Sequence, residues 1–423
     1  MESEIARSDG YRLLIAGGSV RAAAASARRG GLNLVTTDEY GDADLQEMGD
    51  WFPIQSLIAG ELINRAKLGE CGAWTYVGPW ENWPPMAEAL ANQADQFGIP
   101  LAGADLPTLN HLRDPHELQA MSARAGFTPL AVVTADKTTG IDDIPLPSER
   151  SWIRKPLLSG GGLGVAMFPT SQEEIWAMLA SRISSDEYLQ EFAGGQPLSV
   201  ICLAETRSVR LIGWTEGMTG TPYGAYGYRG SRGPVAPPAS IMQQAKLLAE
   251  IIVENTGLRG LFGIDGIQNG DRWQPIEINP RYTASCEILE LTRGHGPSLM
   301  REHVRSFGLS DPSAESSSEP TDEPTSLVGR DDRRPTYGMK WIVYAGQRFV
   351  APDLRAAFAT GTHDDGMPST PRIADIPCLG TIIEQGHPVC TLFGWGASIE
   401  EAERDCQRAV DSLKNSFPEV AFD

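Results

Sequence analysis

Lysine is scarce in this 423-residue chain, with 6 residues against 29 arginines, so Lys155, just ahead of a glycine run, stands out. Basic residues of both kinds are outnumbered, 35 to 55, and the formal charge of −20 excludes a general nucleic-acid binder, whose surface must be positive. Cysteine is sparse and scattered. Its six positions (Cys71, Cys202, Cys286, Cys378, Cys390 and Cys406) form no CxxC pair, which argues against a zinc site or disulfide framework and fits reduced thiols in the cytoplasm. The six histidines form no HExxH pair. No apolar run approaches the roughly 18 residues of a membrane span. The polar, acidic stretch Met1–Gly10 has no signal-peptide core, so a cytoplasmic protein without a membrane partner is expected. GxGxxG and GxxxxGK[ST] are missing too, which removes the usual dinucleotide and Walker A signatures.

What is present is enough apolar residue, 41%, for several cores, and the patterning divides the chain. Residues 1–105 alternate strand and helix signals: Tyr11–Ala16, a Gly17-Gly18-Ser19 turn, an Ala-rich helix from Val20 to Arg29, and a second strand over Leu32–Thr37. This is the opening of a Rossmann-like α/β unit, with the turn facing an anionic group at the helix N-terminus. Residues 106–306 read as an α+β region in which Asp114 caps a helix opening with Pro115. Residues 307–335 read as an acidic Ser/Pro linker, with five acids and no bases between Asp311 and Glu323. Residues 336–423 read as a small β-rich α+β module ending in an amphipathic helix over Ser398–Ser416.

The densest chemistry lies in Gly260–Gly266 and Pro275–Arg281, which read as two short strands. Strand alternation points Glu277, Asn279 and Arg281 the same way. A two-residue turn at Asn269-Gly270 would pair 262 with 277 and part the carboxylates. A three-residue turn over Gly270–Arg272 pairs Asp265 with Glu277, and that longer turn is expected. Pro275, lacking an N–H, must lie at an edge or a gap in the ladder. Two carboxylates and an amide oxygen then form a hard donor set for Mg²⁺, with Arg281 as a phosphoryl clamp. A solvated hairpin is the plain alternative.

Lys155-Pro156 precedes Ser159-Gly160-Gly161-Gly162-Leu163-Gly164. Such a run lets backbone N–H groups approach phosphates while a lysine on the preceding strand neutralises their charge; an ordinary glycine hairpin is the alternative. Gln190-Glu191-Phe192 follows another strand, where Glu191 is a candidate acceptor for an adenine amino group or a ribose. Residues 216–234, with six glycines and three tyrosines, read as a substrate-side or solvent loop bearing Arg229, Ser231 and Arg232.

In order, RDP, KPLLSGGGLG, QEFAGG, GID and EINPR resemble the ATP-grasp superfamily across roughly residues 10–305. The resemblance implies a Rossmann-like preliminary domain and two lobes closing on ATP, with a small β-rich end module like that of several ATP-grasp carboligases. It implies ATP contacts from Lys155, Gly160, Gly161, Gly162, Gln190, Glu191 and Phe192. It implies Mg²⁺, with Mn²⁺ as a substitute, on Asp265, Glu277 and Asn279, and charge stabilisation by Arg281 and Lys155. Many members carry a lysine early in the first lobe; here Arg113 stands there. The opening GGSVRAAAASARRG and the Tyr228–Pro234 stretch are similar to ATP-grasp proteins of tetrahydromethanopterin and methylofuran one-carbon pathways, such as tyramine–glutamate ligase. The implied activity is ligation of a small carboxylic acid to an amine through an acyl phosphate, by a homodimer, with Arg229, Ser231 and Arg232 on the substrate side. A bicarbonate-using carboxylase and a non-catalytic ATP-binding regulator are the alternatives.

Overall fold

The computed structural model describes residues 12–55, 70–134, 150–168, 186–206, 208–293, 298–309, 336–358 and 370–423. Of the expected linker at 307–335, residues 310–335 lie outside them. The α/β and α+β class is borne out. Leu13, Leu14, Ile15 and Ala16 have no exposed surface and make β1 (Arg12–Gly17) a central strand. It lies between β2 (Asn33–Asp38) and β4 (Cys71–Val77), and β3 (Asp50–Pro53) completes a parallel sheet in the order β3-β2-β1-β4. Between β1 and β2, the helix Arg21–Arg29 buries Ala23, Ala24 and Ala27. The anion at its N-terminus belongs to the chain, because the Val20 amide donates to Asp38 Oδ2 at 3.4 Å.

A second sheet, in the order β5-β8-β6-β7, is built from β5 (Val132–Thr134), β6 (Trp152–Pro156), β7 (Ala166–Met167) and β8 (Glu187–Glu191). Before it, the Asp114 side chain accepts from the His116 amide and caps the helix Pro115–Arg124, as expected.

The largest sheet is eight-stranded. It comprises β9 (Gln196–Ala204), β10 (Val209–Thr221), β11 (Gly224–Val235), β12 (Gly260–Asn269), β13 (Arg272–Asn279) and β14 (Tyr337–Tyr344). Past a short ribbon of β15 (Phe349–Val350) and β17 (Ile382–Ile383), it is completed by β16 (Ile373–Ala374) and β18 (Pro388–Gly396). The order is β13-β12-β9-β10-β11-β14-β18-β16, so strands from 336–423 continue the sheet begun by β9–β13. Residues 216–234, expected as a loop, form the paired arms of β10 and β11. Partners on both sides of β11 outweigh the weak strand preference of its glycines. Helix Ala239–Thr256 covers the sheet with Ile241, Ala245, Leu248 and Ile252, one apolar stripe at helical spacing, and stops at Gly257 in the left-handed conformation. Helix Ile399–Ser416, capped by Ser398, buries Ala402, Cys406, Ala409 and Leu413 near β18.

Candidate active site

The β12–β13 hairpin pairs Asp265 with Glu277, though not by the turn expected. Asn269 pairs with Arg272 across a two-residue Gly270-Asp271 turn, and Gly266 pairs with Pro275. A β-bulge then leaves Ile276 without a partner on β12 and moves Glu277 opposite Asp265. Pro275 lies at this bulge on an edge strand, as its missing N–H requires. Trp273 anchors the hairpin, donating its indole N–H to Leu198 O at 2.9 Å. Gly266 is needed beneath it, since a Cβ there would lie 2.4 Å from the indole nitrogen.

Asp265 Oδ1 accepts from Ser199 Oγ at 2.5 Å, and Oδ2 accepts from Asn279 Nδ2 at 2.7 Å. The Asn279 amide thereby spends a donor on Asp265 and keeps its side-chain oxygen as an acceptor. Burial, then the neighbouring Glu277, push the Asp265 carboxyl up to about 6, against the lowering effect of Ser199, Arg281 and Lys155. Two mutually repelling carboxylates and an amide oxygen fit a hard divalent cation such as Mg²⁺, which takes oxygen ligands and few of them from protein. Among the described residues no group of three His, Cys, Asp or Glu forms a metal cage, so the donor set is this smaller one.

Cations approach from two directions. Lys155 on β6 donates to Ile276 O at 3.2 Å and to Gln190 Oε1 at 3.3 Å, with its ammonium 5.5 Å from the Tyr188 ring centre. The bulge residue thus offers a carbonyl to the neighbouring sheet. Burial opposes the Lys155 charge, but the Tyr188 phenol, Glu277 and Asp265 outweigh it and raise its pKa. Arg113 donates to Glu277 Oε1 at 3.3 Å and to Ser159 O at 2.8 Å, so it joins a carboxylate to the glycine run. Arg281, 8% exposed, follows β13 and lowers the pKa of Asp265. The glycine run lies against β11, where Gly161 O accepts from the Tyr228 amide at 2.7 Å. Gly162 has φ +75° and a Cβ there would lie 2.0 Å from Tyr226 O, so no side chain fits. Gly160 abuts Pro79 of the parallel-sheet region.

Other expected residues stand elsewhere. The Glu191 carboxylate is held through Oε2 by Arg150 at 2.5 Å and by the Ala131 amide at 3.1 Å. Gln190 positions Lys155, and Phe192 lies edge-on to Tyr226 at 6.4 Å. Arg232 pairs with Glu216 at 2.6 Å and with Glu403 of the last helix, which removes it as a substrate clamp. Ser231 is fully buried and shares a 2.7 Å hydrogen bond with the Tyr228 hydroxyl. Arg229 stacks over Trp341 at 4.6 Å and donates to Gly220 O, while its buried Nε makes no hydrogen bond.

Sequence reasoning missed Ser199, which sits within an apolar run, and a buried charge cluster beside the site. Arg21 pairs with Glu287, and also with Asp375 at 2.9 and 3.1 Å, while Lys340 reaches Glu287 at 3.4 Å. An arginine at the head of an alanine-rich helix was the only local signal.

Residues 124–285, less than half of the chain, match the ATP-grasp domain family. No curated protein sequence matches the chain. Among solved structures it is similar to N5-carboxyaminoimidazole ribonucleotide synthetase from Thermus thermophilus, at 15% identity and TM-score 0.60 over 96% of this chain and 98% of that one. It is similar to the biotin carboxylase domain of 2-oxoglutarate carboxylase from Hydrogenobacter thermophilus, at 13% identity and TM-score 0.65 over 98% and 91%. It is also similar to phosphoribosylamine–glycine ligase from Thermotoga maritima, at 15% identity and TM-score 0.61 over 97% of each chain. At these identities the likeness concerns the fold. No helix among the described residues is long and apolar enough to cross a membrane.

Proposed function

We propose that this chain is an ATP-dependent ligase that joins a small carboxylic acid to an amine through an acyl phosphate. The observation that carries the reading is the convergence of Asp265, Glu277 and Asn279 with Lys155 and Arg113, which reach them from separate elements. The reaction needs no covalent enzyme intermediate: the acid's carboxylate oxygen takes the γ-phosphoryl of ATP, ADP leaves, and the amine displaces phosphate. Catalysis then reduces to holding reactants in line and stabilising charge. Asp265, Glu277 and Asn279 would hold Mg²⁺ or Mn²⁺, which neutralises phosphate charge when bound. Lys155, Arg113 and Arg281 supply fixed positive charge around the phosphates. The Gly160–Gly164 run covers the site and keeps water from the acyl phosphate. Arg229, held by two aromatic rings, is the residue we assign to the acid's carboxylate.

The similar structures named above include a phosphoribosylamine–glycine ligase and a biotin carboxylase domain, so ligation and carboxylation are both compatible with this fold. Within ligation, the resemblance to one-carbon-pathway proteins directs the first substrates to glutamate and tyramine-like amines, with a homodimer as the working assembly. The test is ADP release from MgATP across an acid-by-amine panel that includes bicarbonate, with Glu277→Gln as control. Turnover that needs both an organic acid and an amine, and is lost in the control, supports the reading. Turnover on bicarbonate without an organic acid would assign a carboxylase, and ATP binding without turnover on any pair would assign a non-catalytic regulator.

A further inference from the structure

The glycine run is bonded within itself. Ser159 Oγ donates to Leu163 O at 2.6 Å, and the Leu163 and Val165 amides reach back to Gly160 O and Gly162 O, each at 3.3 Å. A segment bonded in this way moves as a unit, so the hydrogen bonds that leave it decide where it sits. Among the described residues, two lead out of Ser159–Gly164. The Tyr228 amide donates to Gly161 O at 2.7 Å, and Arg113 Nη2 donates to Ser159 O at 2.8 Å. The first is a neutral backbone bond. The second carries the guanidinium charge and comes from a side chain only 14% exposed, so it is the stronger tie.

The same guanidinium has another acceptor. Its Nη1 donates to Glu277 Oε1 at 3.3 Å, so two nitrogens of one fork serve two elements, the glycine run and β13. Arginine suits this task because its nitrogens diverge in a plane, whereas the three donors of lysine share one atom. Phosphate charge alone would not ask for a fork, since a point charge binds phosphate as well. Arg113 ends the helix Leu106–Arg113 and Asp114 caps the helix that follows, so the backbone beneath the fork is held from both sides.

We infer that Arg113 is a positioning residue that ties the glycine run to Glu277, so that closure of the run depends on the Glu277 charge. Glu277 holds the guanidinium in place, and the guanidinium holds Ser159. The tie rests on these contacts; that it guards an acyl phosphate from water rests on the proposed function.

Hydrogen exchange of the Tyr228 amide in the full chain reads closure directly, because that proton bonds to Gly161 O. Wild type is compared with Arg113→Lys, which keeps the charge but not the fork, and with Glu277→Gln, which keeps the shape but not the charge. Loss of the charge-assisted bond should speed Tyr228 exchange about tenfold in Arg113→Lys, and loss of its support about three- to tenfold in Glu277→Gln. The amides of helix Ala239–Thr256 should exchange as in wild type, which separates undocking of the run from general loosening. MgADP titrated into wild type reports the ligase reading separately; its failure with the exchange differences intact would leave the tie standing. Wild-type exchange of the Tyr228 amide in either variant would overturn the proposal, and so would an equal acceleration in helix Ala239–Thr256.

Discussion

Asp265→Asn should stabilise the protein while removing a ligand it needs. The Asp265 carboxyl is pushed up to about 6 from an ordinary 3.8 by burial and by Glu277. A raised native pKa means the folded state holds the proton more tightly than the unfolded chain. That stability is fully present below about pH 4 and lost as pH rises through about 6. At pH 7.5 the ionised carboxylate therefore costs the fold about 3 kcal/mol, at about 1.36 kcal/mol per pKa unit. Asparagine does not ionise, and it retains an acceptor for Ser199. Its NH2 takes the place of the oxygen that faced Asn279, so the Asn279 amide turns its oxygen inward to accept, and the two hydrogen bonds lose their charge assistance, together about 1 kcal/mol. The net gain is about 2 kcal/mol at pH 7.5, falling below about 1 kcal/mol near pH 4, where wild-type Asp265 is protonated in the fold. Melting curves of both proteins from pH 4 to 8 measure the gap, and repeating them with MgADP adds a second test. The nucleotide should raise the wild-type melting temperature and leave the variant almost unmoved. A variant that melts below wild type at pH 7.5, or a gap that does not change with pH, would refute the reasoning.

Lys155→Met should lower kcat/KM for ATP about 10²- to 10³-fold with little change in melting, as steady-state kinetics will read. Arg21→Met leaves Glu287 buried, and Asp375 partly buried, without their guanidinium and should cost about 3–5 kcal/mol in urea denaturation. Burial opposes both carboxylates' charge, but Arg21 holds their pKa values below the ordinary range, so wild type loses this contribution as pH falls through those values; the variant should lack that acid dependence. Arg232→Ala should cost at most about 1 kcal/mol, because its ion pairs are partly exposed, and should not change KM for the acid. Arg229→Ala should raise KM for the acid more than KM for ATP; equal effects would take Arg229 out of the substrate site.

Local signals were legible where a single element decides them. The run Arg12-Leu13-Leu14-Ile15-Ala16 could only be a buried strand, and Asp114-Pro115 could only open a helix. The spacing within the β12–β13 motifs likewise foretold the meeting of Asp265, Glu277 and Asn279. What was not legible depended on partners distant in sequence. Gly230 pairs with Trp341, and nothing near either residue announces that the last segment continues the sheet. Arg229 and Arg232 look equivalent in the sequence, yet one meets Trp341 and the other Glu216 and Glu403. Nothing near Glu191 in the sequence announces the Arg150 pair on its Oε2.

The hairpin shows how a correct pairing can follow from a wrong turn. Counting from a turn assumes an unbroken ladder, and in an unbroken ladder a two-residue turn puts Asp265 and Glu277 on opposite faces. Pro275 breaks that assumption, because it cannot donate and so weakens the ladder where one extra residue is least costly to insert. Inserting Ile276 there turns Glu277 onto the face of Asp265 and leaves the Ile276 carbonyl for Lys155. One irregular residue therefore aligns the paired carboxylates and ties their hairpin to the strand that bears the lysine. The sequence signalled the break through Pro275, but the bulge itself, and the bonds from Ser199 and Asn279 that hold Asp265 opposite Glu277, exist only once β9, β12 and β13 lie side by side.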